Sequence, residues 1–233
     1  MVFAPFFGNA VIPPRIKAGL TLLLTIVLFP SQAAAPAIHQ IADWVSTIGS
    51  EAVVGLTMGL LMSFVFEAVM MAGQIAGFQM GLNMEAAIDP TTQASSPVLG
   101  VAYESLAMLV FLSLDLHYWV LKGIASSYTY LPVGTARITT EGAKTIISAS
   151  SHMLWVGVEL AAPILAATVV TDLLMGFMSK ASPQMPIIFT AIPVKVVIGL
   201  MLFGLTVGLW PRLLATNFNR ALADTEHLWA ISR

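Results

Sequence analysis

The chain contains no cysteine and few charged residues. Without cysteine it can form neither disulfide bonds nor thiolate metal ligands, and it has no cysteine nucleophile. Only 9% of its 233 residues are charged, and the formal net charge is −2. So small a charge, with no run of basic residues, argues against nucleic-acid binding.

Apolar residues are abundant instead. They make up 58% of the sequence, and the mean hydropathy is +0.87. A soluble domain has more charge and less apolar surface than this, so the composition is typical of a membrane protein. Apolar runs separated by proline-containing breaks predict an all-α fold of membrane-associated helical hairpins with broken helices.

The first apolar run resembles a signal peptide only in part. Arg15 and Lys17 precede residues 18–29, but residues 2–7 are themselves apolar, where a signal peptide carries its positive charge. We therefore interpret the run as a retained membrane helix that ends at Pro30. Because the chain opens within an apolar run, we expect that it lacks an N-terminal helix.

Apolar periodicity predicts the later segments. An amphipathic stretch over 38–48 leads into a long helix over 52–82, and a polar loop follows before the next apolar helix at 98–114. Further segments are expected at 139–151 (short and amphipathic), 153–178, 187–210 and 211–233 (an amphipathic tail). No repeat or domain boundary is evident, so we expect residues 1–233 to form one unit.

The long helix carries a stripe of small residues. At 100° per residue, Gly55, Gly59 and Ser63 occupy nearly the same three azimuths as Gly73, Gly77 and Gly81. Glycine costs about 1 kcal/mol against alanine in a helix, so the stripe needs a packing reason. Close approach of another helix provides one, and we expect these six residues to form a subunit interface.

Six ionisable side chains lie within or beside apolar runs. They are Glu67, Glu104, Asp115, Glu159, Asp172 and Lys195. Each costs about 2.5–3.5 kcal/mol at mid-bilayer on insertion scales, which makes such groups candidates for a proton relay. The alternative is burial against partner subunits or internal pairing, for example of Lys195 with Asp172.

The sequence offers little for catalysis. Its four histidines are scattered without metal-ligand spacing, and neither a phosphate-binding loop nor a nucleophile elbow is present. We therefore expect no catalytic residues, no metal site, no cofactor and no enzyme activity. Six methionines along the long helix can fill irregular gaps or form a compliant seal around a passing chain; they are Met58, Met62, Met70, Met71, Met80 and Met84.

Two separated stretches resemble the FliR/SctT family of the type III secretion export gate. The first combines residues 11–15 (VIPPR), an apolar run ending in Pro30, residues 76–84 (AGFQMGLNM) and Asp89-Pro90. The second combines Asp172, residues 180–185 (KASPQM) with Pro183 and Gln184, and residues 192–195 (IPVK) with Pro193. The chain departs from the family where Pro186 replaces an asparagine and where the first family helix is absent.

The resemblance implies a single structural subunit in the bacterial inner (plasma) membrane, at the flagellar basal body or the injectisome base. It implies a spiral assembly with FliP-like, FliQ-like and FlhB-like membrane subunits, which exports unfolded flagellar or effector proteins. It also implies a pore plug over residues 83–96. The residues of that tract taken as plug are Asn83, Met84, Glu85, Asp89, Pro90, Thr91, Thr92 and Gln93.

Two other functions remain open from the residues alone. A proton-coupled transporter would use Glu67, Glu104 or Glu159, and a membrane scaffold would have no pore. A transporter would move a substrate when reconstituted alone, whereas an export gate requires specific membrane partners.

Overall fold

The computed structural model describes residues 13–28, 40–82, 98–136, 139–181 and 187–231, with side chains from Thr190 onward in the last range. Seven helices and no strands are present in these ranges, which confirms the all-α prediction. The helices are α1 (Pro14–Leu28), α2 (Ile41–Gln79), α3 (Val98–Ser113), α4 (Leu116–Tyr130), α5 (Thr140–Ala181), α6 (Ile187–Val207) and α7 (Trp210–Ile231).

The two longest helices exceed the thickness of a membrane. At 1.5 Å per residue, the 39 residues of α2 and the 42 residues of α5 correspond to roughly 58 and 63 Å, against about 30 Å of bilayer hydrocarbon. In the described ranges, α2, α5 and α6 are long and apolar enough to cross a membrane. Four spans result if α3 and α4, bent by 72° at their break, count as one.

Helix α5 corrects one prediction. Residues 139–151 and 153–178 were expected to form separate segments, but they belong to one continuous helix that contains Pro163. A proline in a helix interior costs about 3 kcal/mol because it removes a backbone donor and crowds the preceding turn. Pro163 is exposed, whereas its neighbours Ala161 and Ile164 are fully buried. Burial on both sides of the proline therefore outweighs its local cost.

The chain divides into two compact units, and α2 and α5 run through both. The first unit comprises residues 1–66, 111–152 and 214–233. Phe66, Phe111 and Phe218 meet there with ring centroids 5.2–6.3 Å apart. The amphipathic tail supplies Phe218 and further buried residues such as Leu214 and Leu228, as its apolar spacing predicts.

A tight turn in the first unit is fixed to α2. Gly134 occupies the third position of the turn Pro132–Thr135, in which the Thr135 N–H donates to the Pro132 carbonyl at 3.1 Å. Its φ of 81° is the left-handed value that a type II turn requires at this position. The Gly134 N–H donates to Glu51 Oε1 at 3.0 Å, so a carboxylate of α2 holds the α4–α5 connection.

The second unit comprises residues 67–110 and 153–213. Tyr103 lies in its core, stacked on Phe203 at 4.6 Å between ring centroids and 4.9 Å from the Trp210 ring. Ala72 and Ala76 of α2 are fully buried. Small α2 residues in this unit therefore allow neighbouring helices to approach closely.

Candidate functional site

The small-residue stripe of α2 begins on an open surface. A Cβ built on Gly55 would have no heavy atom within 4 Å, and Gly55 is exposed. Gly59 and Ser63 are half-buried. The Ser63 hydroxyl donates to the Leu60 carbonyl of its own helix at 2.9 Å, so it requires no polar partner from elsewhere. At Gly55, therefore, the stripe has room for another apolar helix.

At Gly73 the stripe is covered by another part of the chain. A Cβ there would lie 2.8 Å from both Gly100 Cα and the Leu99 carbonyl oxygen. The predicted close approach of a second helix backbone is therefore present at Gly73, but that helix is α3 of the same chain. Gly77, one turn further, is also buried. The interpretation of the whole stripe as a subunit interface is corrected at Gly73, which serves packing within the chain.

Gly81 has another role. The Leu82 N–H donates to the Gly77 carbonyl and the Gly81 N–H to the Phe78 carbonyl, each at 3.0 Å. With φ of 81° at Gly81, this is a Schellman motif, in which glycine adopts the left-handed conformation that ends a helix. Gly81 therefore terminates α2 instead of continuing the stripe.

Met58 and Met71 of α2, and Met80 directly after it, lie against glycines of neighbouring helices. The terminal methyl group of Met71 faces Gly157 of α5, and the sulfur and side-chain carbons of Met80 face Gly199 of α6. In the first unit, Met58 faces Gly123 of α4 in the same way. A flexible methionine fills the space that a missing Cβ leaves. For these three residues the gap-filling interpretation is confirmed.

None of Gly123, Gly157 and Gly199 was predicted as a packing residue. The methionines along α2 were the available signal, because a flexible methionine fills irregular gaps between packed elements. The hydrogen bond of Glu51 was not predicted either, because its partner Gly134 is 83 residues away.

Asp172 of α5 and Lys195 of α6 form an ion pair. The sequence raised this pairing as a possibility, and the structure confirms it. Lys195 is 16% exposed and Asp172 46% exposed, so the lysine is the more buried partner. Pairing neutralises two charges carried by apolar helices.

The other four of these six ionisable residues are exposed or only half-buried. Glu67 and Glu159 are exposed and Glu104 is half-buried. Glu67 and Glu104, both in the second unit, lie close enough for their charges to repel each other. Asp115 lies outside the apolar helices, in a left-handed conformation with φ of 56° between α3 and α4. Burial of the acids against partner subunits remains a prediction.

Several predicted residues lie outside the described ranges. They are the whole plug set (Asn83, Met84, Glu85, Asp89, Pro90, Thr91, Thr92 and Gln93) and the motif residues Pro183 and Gln184. Pro193, the remaining motif residue, lies inside α6 two positions before Lys195.

Comparison with known proteins identifies relatives over nearly the whole chain. The family model of bacterial export proteins, family 1, matches residues 1–221. The flagellar biosynthetic protein FliR of Escherichia coli (strain K12) is 29% identical over 203 residues, which cover 86% of this chain and 77% of that protein.

Two further relatives carry the same name. FliR of Pectobacterium carotovorum subsp. carotovorum is 30% identical over 210 residues, covering 89% of this chain and 80% of that protein. FliR of Bacillus subtilis (strain 168) is 28% identical over 204 residues, covering 86% and 79%.

Proposed function

Because this chain belongs to the bacterial export proteins, family 1, we propose that it is a structural, non-enzymatic subunit of a type III protein export gate. The match over residues 1–221 carries the proposal, and relatives named flagellar biosynthetic proteins favour a flagellar machine. In this role the subunit lies in the bacterial inner membrane. It helps to form the pore through which unfolded subunits are exported.

Incomplete coverage of the apolar helices supports an assembled state. In the 18-residue apolar stretch of each helix that could cross a membrane, 39% is buried in α2, 28% in α5 and only 6% in α6. Val197, Met201 and Leu205 of α6 are among its exposed side chains. Such surfaces require lipid or other protein, and we propose FliP-like, FliQ-like and FlhB-like subunits as the protein partners.

The exposed acids support an aqueous or protein environment for part of this surface. Glu67 and Glu159 lie on long apolar helices and are exposed. If either faced hydrocarbon, it would cost about 2.5–3.5 kcal/mol at mid-bilayer on insertion scales. A water-filled lumen or a polar group of a partner removes that cost, as expected for helices that surround an export channel.

The open end of the α2 stripe provides a test of assembly. Gly55 and Gly49 are both exposed and have no heavy atom within 4 Å of a built Cβ, but Gly49 lies about 120° from Gly55 around the helix. We expect Gly55→Leu to reduce co-purification of the companion subunits, measured by mass analysis of the intact complex. Gly49→Leu is the matched control and should retain them. Equal yields for both variants would contradict an interface at Gly55.

We also propose that residues 83–96 plug the closed pore. Its second half, residues 91–96 (TTQASS), is polar and uncharged, and the tract follows the glycine that ends α2. Deleting Thr91 to Ser96 should make membranes that contain the assembled gate leaky to small ions. Unchanged ion permeability in assembled complexes would remove the plug assignment without affecting the subunit assignment.

The proton-coupled transporter remains the alternative. It is favoured by the proximity of two acids, Glu67 and Glu104, whose negative charges repel each other. It predicts that the purified chain alone moves a substrate in vesicles and that Glu67→Gln abolishes this transport. Under the gate hypothesis the chain alone moves nothing, and Glu67→Gln changes export only in the complete assembly.

A further inference from the structure

Helix α1 is apolar and largely uncovered. Leu22, Leu23, Ile26 and Val27 are each 58–67% exposed. Among the described side chains of α1, residues 14–27, only Lys17, Leu20 and Leu24 are half-buried, and they share one narrow face of the helix. Most of the α1 circumference therefore meets an environment outside the described chain.

The hydroxyl side chains of α1 are compatible with a hydrocarbon environment. The Thr21 hydroxyl donates to the Lys17 carbonyl at 2.7 Å, and the Thr25 hydroxyl donates to the Thr21 carbonyl at 2.8 Å. Each hydroxyl therefore donates to a carbonyl of its own helix, so neither hydroxyl requires water or a polar partner. In lipid, polar groups must be satisfied internally in this way.

Charge is concentrated at one end of α1. Residues 1–42 contain two charged side chains, Arg15 and Lys17, and no acid. Both lie in the first turn of the helix. Two cations two residues apart, followed by an apolar face, are complementary to the boundary between anionic headgroups and acyl chains.

We propose that Arg15 and Lys17 bind the headgroups of anionic phospholipids and that the exposed face of α1 lies among the acyl chains below them. The described 15 residues correspond to roughly 22 Å, less than the bilayer core. Because both cations lie at one end of this apolar helix, the proposal places them at the headgroup level of one leaflet.

The test uses the full-length chain, purified with the subunits that accompany it from bacterial membranes. Native mass spectrometry measures retained phosphatidylglycerol against retained phosphatidylethanolamine. A basic residue at an anionic surface contributes about fivefold in affinity, so Arg15→Gln combined with Lys17→Gln should reduce retained phosphatidylglycerol by up to about 30-fold. The matched control combines Lys144→Gln with Lys180→Gln, which removes two exposed lysines of α5 and should leave retention unchanged. Equal loss in both double variants, or no loss in either, would overturn the proposal.

A photo-crosslinking residue at Leu23 tests the occupant of the apolar face directly. Leu23 is 58% exposed, so a substituted side chain does not depend on packing within the chain. We expect crosslinks to phospholipid. Crosslinks to a companion protein would show that α1 is a protein interface and would overturn the lipid site, while leaving the export-gate proposal intact.

Discussion

Substitution of Gly73 by alanine should destabilise the chain, although alanine is the better helix former. The added Cβ would lie 2.8 Å from Gly100 Cα and from the Leu99 carbonyl oxygen, where ordinary contact begins near 3.4 Å. Both obstacles are backbone atoms, which cannot rotate away, so α2 and α3 must separate by about 0.6 Å. Overpacking of this kind costs about 1–3 kcal/mol, and alanine returns up to about 1 kcal/mol in helix propensity. We expect a net loss of about 1–2 kcal/mol in the free energy of unfolding.

Gly55→Ala is the matched control, because it makes the same chemical change on the same helix. Its Cβ meets no heavy atom within 4 Å, so only the propensity gain remains. Titration of the purified chain from mild detergent into sodium dodecyl sulfate, followed by circular dichroism, measures both effects. The midpoint should fall for Gly73→Ala and rise or stay constant for Gly55→Ala. If both variants shift in the same direction, the close contact between α2 and α3 does not determine the role of Gly73.

Two further perturbations follow from the structure. Lys195→Met leaves Asp172 without its partner and should lower the free energy of unfolding by about 1–3 kcal/mol, between the values for exposed and buried ion pairs. Adding Asp172→Asn should restore much of this stability in the same titration. No restoration would contradict the pairing. Gly134→Ala forces a side chain into a left-handed conformation with Thr47 Oγ1 3.1 Å from its Cβ and should cost about 1–3 kcal/mol. Gly176→Ala, in open space on α5, is its control, and equal stability of the two variants would contradict the strain argument.

Most helices and the family membership could be predicted from the sequence, but α4 (Leu116–Tyr130) was not predicted. Apolar runs and their 3.6-residue periodicity indicated α1, α3, α6 and α7 within a few residues of their bounds. The predicted break between residues 151 and 153 of α5 was wrong, because a polar stretch beside an apolar run looks like the end of a helix. Burial on both sides of Pro163 keeps this helix continuous, and no local pattern reports that burial.

Sequence by itself determined the membrane class, the all-α architecture, the export-protein family and the presence of one small-residue stripe on α2. These properties depend on composition, periodicity and motif order, which are local along the chain. Only the tertiary structure decided what each glycine of that stripe does. Gly55 is open, Gly73 is covered by the α3 backbone, and Gly81 ends the helix in a left-handed turn. The three differ in which atoms approach them and in their backbone conformation, because chain segments distant in sequence, such as residues 99–100 beside Gly73, decide which positions of a uniform helical face are covered.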